Sequence, residues 1–193
     1  IFILALALLL PVFSFAQTAE KEALTFQEEL NEQYKSRKES PLTKRDRRKF
    51  KGFEFYPVSE KFRVKATFER VENAVPFKMK TSTEREPVYE IYGVATFTIN
   101  GQELKLNVYQ SHRLRKMEEY KTHLFLPFTD ATNGSGTYGG GRFIDLEIPE
   151  GNFIIIDFNK AYNPYCAYNG KYSCPIPPPE NALPVPIEAG VRY

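Results

Sequence analysis

From Phe62 onward the chain keeps returning to a two-residue period. Phe62, Val64, Ala66 and Phe68 alternate with charged or polar neighbours, as in a strand with one buried face. Segments 89–99 and 103–110 flank Asn100-Gly101, a dipeptide suited to a two-residue hairpin because both positions tolerate positive φ. Segments 77–81, 123–128, 142–148 and 153–158 bring the total to about seven strands. No helical pattern separates them, which excludes parallel βαβ units. A mainly β fold is expected, an antiparallel β-barrel or β-sandwich with one or two N-terminal helices. Phe153-Ile154-Ile155-Ile156 is apolar on both faces and predicts a central strand. Twelve Tyr and sixteen Phe among 193 residues fit that strand-rich reading.

The first fifty residues read differently. Residues 1–16 are an uncharged apolar run ending Ser14-Phe15-Ala16. Small residues at −3 and −1 predict a signal peptide cut before Gln17. The run is shorter than the ~20 residues a spanning helix needs. The protein is therefore expected to be exported, periplasmic or secreted, with no stable membrane anchor after cleavage. Thr25 and Glu28 make a capping box, and Phe26, Leu30 and Tyr34 recur every four residues, predicting a helix over 25–39. Ser40-Pro41 predicts the cap of a second helix. The domains expected are thus a signal at 1–16, a helical segment at 17–51 and a β-rich domain at 52–193. Residues 35–51 hold nine basic and two acidic side chains, yet the whole chain carries only +2. That balance argues against a globally basic nucleic-acid binder.

With two Cys and two His, the chain excludes a multi-finger zinc protein or a His-rich metal cage, and no metal or cofactor is expected. Cys166 and Cys174 bracket Asn169-Gly170. Two strand ends across that turn, in an oxidising compartment, would bring the cysteines together as a disulfide.

Two stretches could hold chemistry. Residues 130–145 read DATNGSGTYGGGRFID, with five of the eleven glycines inside eight residues. A G-x-G-x-x-G match occurs there, but a strand pattern follows it where a dinucleotide site needs a helix. The remaining reading is an anion-binding nest with Arg142 beside it. Residues 157–174 read DFNKAYNPYCAYNGKYSC and carry Tyr162, Tyr165, Tyr168 and Tyr172, rings that stack on ligands or plug a barrel end. A polyproline-like strap, 175–186, follows and is expected to lie on this tyrosine surface. Asp130, Asp145, Asp157 and Glu180 make an acid–base carboxylate pair conceivable. No G-x-S-x-G, H-E-x-x-H or C-x-x-C is present.

LFLPFTD at 124–130, TYGGGRF at 137–143, DFNKAYNP at 157–164 and Cys174-Pro175 through Glu180-Asn181, with FKGFEFYP at 50–57, resemble a bacterial and archaeal family of unknown function, number 1684. The resemblance spans about residues 40–193. It implies a shared architecture and brings no established activity. The leading expectation is an exported binding module for a small polar or anionic ligand, a glycan or a phosphate-bearing group. Asp130, Thr137, Tyr138, Arg142, Asp157, Asn159, Tyr162, Asn163 and Glu180 would form its binding face. A hydrolase with an Asp/Glu pair and a structural envelope protein are the alternatives.

Overall fold

The computed structural model describes residues 12–193, with side chains from residue 17. A long helix, α1 (Val12–Lys35), opens the chain. The first eleven residues of the expected signal peptide lie outside the described residues. Thr25 and Glu28 fall inside α1, so the capping box does not start a helix there. Ala19, Ala23, Gln27, Leu30 and Tyr34 form its buried stripe, and a stripe with that spacing propagates the helix through Thr25. The short α2 (Lys44–Lys49) is capped by Thr43, whose hydroxyl accepts from the Asp46 N–H, rather than by Ser40.

The β-rich part is one seven-stranded antiparallel sheet curled into a half-barrel. Its strands are β1 (Arg63–Arg70), β2 (Phe77–Lys78), β3 (Val88–Ile99), β4 (Gln102–Ser111), β5 (His123–Phe128), β6 (Arg142–Glu147) and β7 (Phe153–Asp157). The order is β6-β5-β4-β3-β1-β7, with β2 on β3. Asn100 and Gly101 both take positive φ, 53° and 77°, and join β3 to β4 in the expected tight hairpin. β7 is an edge strand, not a central one: it pairs only with β1, and Phe153 and Ile155 remain exposed. The strand buried on both faces is β5, where Leu124 through Phe128 are all buried.

The concave face holds the main core, with Val64, Phe68, Phe97, Leu106, Leu126, Ile144 and Ile156 among its members. The proline-rich strap closes this face and does not cover the tyrosines. Leu183, Val185, Ile187 and Ala189 enter the same core. β4 and β5 pair only at Tyr109 and Phe125, and Asn181 fills the gap beyond that pair. Its amide donates to the Asn107 and Pro127 carbonyls at 2.9 and 2.7 Å, while its oxygen accepts from the Asn107 N–H at 2.9 Å. One side chain thus supplies the bonds that a continuing ladder would supply.

The opposite, convex face is covered by α1 and by residues 162–172. Tyr34 packs edge-on against Phe53, Tyr165 and Tyr168, with ring centroids at 4.6, 6.0 and 5.5 Å. The tyrosine-rich segment therefore seats the helix on the sheet instead of plugging a barrel end. Among the described residues, no helix is long and apolar enough to cross a membrane.

Candidate functional site

Strand alternation decides which side chains reach the convex face near β5 and β6. Leu124, Leu126 and Ile144 point into the concave core, so His123, Phe125, Phe143 and Asp145 point the other way. In the β5–β6 register Phe125 lies opposite Asp145, and His123 opposite Glu147. His123 and Asp145 are thus diagonal neighbours across the ladder. α1 brings Phe26, Leu30 and Gln33 over them, while the β4–β5 connection brings Arg113, Leu114, Met117 and Tyr120. Between these layers lies a pocket of about 580 Å³, also walled by Tyr89, Tyr162, Tyr165 and Cys174.

Its polar centre is a three-residue relay. Tyr162 donates its hydroxyl to Asp145 Oδ2 at 2.7 Å, and His123 Nε2 lies 2.8 Å from Asp145 Oδ1. A carboxylate only accepts, so the imidazole must carry its proton on Nε2. In the neutral ring Nδ1 is then a bare acceptor, and it is buried with no hydrogen-bond partner. Burial, then the Asp145 charge and the hydrogen bond to it, push the Tyr162 phenol well above its ordinary range and keep it a donor. Tyr165 accepts from Gln33 of α1 at 3.0 Å. Arg113 is exposed at the rim and lies close enough to Tyr89 to oppose the rise that burial imposes on its phenol. Among the described residues no group of three or more His, Cys, Asp or Glu is placed to hold a metal ion.

Of the nine residues expected to form a binding face, Tyr162 alone lines this pocket, where it meets Asp145, Tyr165 and Cys174, which the sequence also singled out. Asp130 and Arg142 form a fully buried ion pair, Nη2 to Oδ2 at 2.8 Å. The guanidinium also donates to the Ile187 carbonyl at 2.8 Å and to the Ala189 carbonyl. Asp130 Oδ1 accepts from the Thr132 N–H and hydroxyl and from the Ile187 N–H. Because Thr132 donates to Asp130, its oxygen takes the Thr137 hydroxyl at 2.8 Å. The glycine-rich loop and the strap are thereby locked together, and most of their polar groups are spent internally, Arg142 Nε alone among the guanidinium nitrogens being buried without a partner.

Tyr138 packs edge-on against Tyr193, with centroids at 5.1 Å. Asp157 caps Asn159, which bonds the Ser59 backbone through both amide atoms and lends its carbonyl to Gln27 of α1. Asn159 also edges a smaller cavity of about 210 Å³ beside Arg63. Asn163 donates to the Tyr168 hydroxyl at 2.6 Å, and Glu180 is exposed on the strap. The nine residues do not converge on one face.

Cys166 and Cys174 are free thiols, not a disulfide. The Asn169–Tyr172 turn forms, with the Tyr172 N–H on the Asn169 carbonyl, but paired strands do not flank it. Cys166 lies in a single 3₁₀ turn, and Cys174 runs beside Ser82, donating from its N–H to the Ser82 hydroxyl. The Cys166 N–H points at Cys174 Sγ from 3.2 Å. Burial is the main cause that pushes the Cys174 thiol up to about 11, which makes it a poor nucleophile near neutrality.

His123 and Asp145 carry the pocket's chemistry, and no motif marks them. The available signal was their outward parity on two strands whose alternate residues are core. Asp145 stands in the sequence among the carboxylates of a conceivable acid–base pair, and His123 stands only as the first residue of a strand.

No curated protein matches this chain. Among solved structures, it resembles an uncharacterised protein of Haloarcula marismortui, determined in solution by NMR. The two are 29% identical, with a TM-score of 0.71 over 93% of this chain and 97% of that one. Residues 48–192 match the family model described as a protein of unknown function, DUF1684, and the chain belongs to that family.

Proposed function

We propose that the protein is a binding module for a small amphipathic molecule, received between α1 and the convex face of β5 and β6. The observation that carries this reading is the 580 Å³ pocket, walled by Phe26, Leu30, Phe125 and Phe143 with a His–Asp–Tyr relay at its centre. An apolar cleft with a few convergent polar groups is the usual form of a small-molecule site. The ligand's body would rest on the rings, and its polar end would meet His123 and the Arg113 rim. The export reading rests on residues 1–16, the apolar run ending Ser14-Phe15-Ala16.

Titration with N-phenyl-1-naphthylamine, an uncharged aromatic fluorophore, tests this pocket. The expected result is saturable binding at one site, weakened at least about tenfold by Phe26→Arg. Phe26 is only half-buried on α1, so the substitution should leave the melting temperature nearly unchanged. No binding, or equal binding by the variant, would overturn the proposal.

A further inference from the structure

Two charged groups border the pocket and compete to set the sign of the ligand's polar end: Asp145 in the relay and Arg113 at the rim. Asp145 is reachable from solvent, since its side chain is 49% exposed and lines the pocket. Its two oxygens take the His123 Nε2–H at 2.8 Å and the Tyr162 hydroxyl at 2.7 Å. With the imidazole neutral, both donors are uncharged, and each carboxylate oxygen has room for a second. The relay therefore keeps one net negative charge. Glu90 on β3 shows the contrast. It meets His112 at 2.7 Å and also Arg115 at 2.9 Å, which neutralises it. Among the described residues, His123 is the one basic side chain that pairs with Asp145.

The walls around that charge are rings. Phe26, Tyr89, Phe125, Phe143, Tyr162 and Tyr165 line the pocket. Phe143 stands at 72° to Phe125 and 89° to Tyr162, so these three meet at corners rather than in a flat stack. The Asp145 charge reaches across them. Burial is the first cause raising the Tyr89, Tyr162 and Tyr165 phenols, and the Glu119 hydrogen bond is the first at Tyr120; the Asp145 charge adds to the rise in all four. Arginine opposes it at Tyr89, through Arg85 and, more weakly than Asp145 acts there, through Arg113. At Tyr120, Tyr162 and Tyr165 the charges acting all raise the phenol. A carboxylate ligand would meet this field as a like charge, and a neutral one would gain little from it. An organic cation is drawn both to the carboxylate and to aromatic rings. We infer that the pocket selects an ammonium ion with an apolar body, held at Asp145 beside His123 and bordered by the rings. This rests on the pocket reading above and goes further by fixing the charge of the polar end.

The test compares 1-naphthylmethylamine, 1-naphthylmethanol and 1-naphthoate, which share one ring system and differ in the charge of the polar end, by competition against N-phenyl-1-naphthylamine. At about pH 8 a free imidazole is neutral, while the amine is cationic and the acid anionic. The wild-type chain is expected to take the amine about tenfold more tightly than the alcohol, with the acid weakest. Asp145→Asn keeps an acceptor for Tyr162 and removes the charge, so amine and alcohol should then bind alike. Arg113→Gln, at the exposed rim, removes the competing charge and should hold or widen the preference. Equal affinity for amine and alcohol in the wild type, or tightest binding of the acid, would overturn the inference and leave the pocket reading standing. A preference that survives Asp145→Asn, or that narrows in Arg113→Gln, would overturn the assignment to Asp145. If the fluorophore itself does not bind, the pocket reading falls and the inference with it.

Discussion

Arg142 ties Asp130 to two carbonyls of the strap without exposing any of its side chain. Burial pulls its guanidinium below the ordinary range, and the Asp130 charge opposes that pull. Removing one partner of such a pair leaves the other charge stranded, which costs about 3–5 kcal/mol. Arg142→Met should therefore lower the urea midpoint by that equivalent. Replacing both partners, as Asp130→Leu with Arg142→Met, should recover little. The Ile187 N–H and the Ala189 carbonyl would still lose their partners, while the Ile187 carbonyl would keep the Ala189 N–H. A double variant as stable as the wild type would show that strap and loop do not depend on these bonds. The sequence singles out Asp130 and Arg142 separately, each as a residue of the expected binding face. Residue type and spacing say that charges will meet; whether water is excluded depends on a strap 45 or more residues away.

At the scale of elements, the strap stands in for sheet. Asn181 is fully buried and makes three hydrogen bonds to β4 and β5. Asn181→Ala would leave an N–H and two carbonyls in the core without partners. The expected loss is about 3 kcal/mol or more, read from equilibrium unfolding. Asn181→Asp should do no better, because a carboxylate cannot donate to the Asn107 and Pro127 carbonyls. If either variant loses less than about 1 kcal/mol, water has replaced the side chain. Strand positions were legible because alternation and the Asn100-Gly101 turn are local signals, and β5 runs from His123 to Phe128 as the pattern indicates. The place of β7 was not. Phe153-Ile154-Ile155-Ile156 and Leu124-Phe125-Leu126-Pro127-Phe128 look alike as apolar runs, but β5 has its second face covered, where Phe125 packs against Tyr89 and Phe143 in a cluster with Cys174, and β7 leaves Phe153 and Ile155 exposed. Which run receives that cover is a tertiary fact, and the pocket, formed by the same covering, was hidden for the same reason.

For the whole molecule, the seam between α1 and the sheet is built from phenols. Tyr34, Tyr162 and Tyr168 all lie there, and burial is the first cause raising each of them above the ordinary tyrosine range. Tyr109, on the same convex face, is pushed up to about 12, again chiefly by burial. In each case the folded state holds its proton more firmly than the unfolded chain does. The stability these groups contribute is therefore complete below the ordinary tyrosine value of about 10 and falls as pH rises through the folded values. The slope should be steep, because several phenols would release protons together on unfolding. Urea midpoints should begin to fall near pH 9, where the unfolded Cys174 thiol ionises while burial holds the folded one up to about 11, and should drop more steeply above about pH 10 as the phenols join. Tyr34→Phe keeps the packing and removes one titrating group, so its decline should be shallower. Because the pocket lies in this seam, fluorophore binding should be lost no later than the fold. A decline in Tyr34→Phe as steep as that of the wild type would mean that the seam admits water and that this phenol is not held as the structure places it.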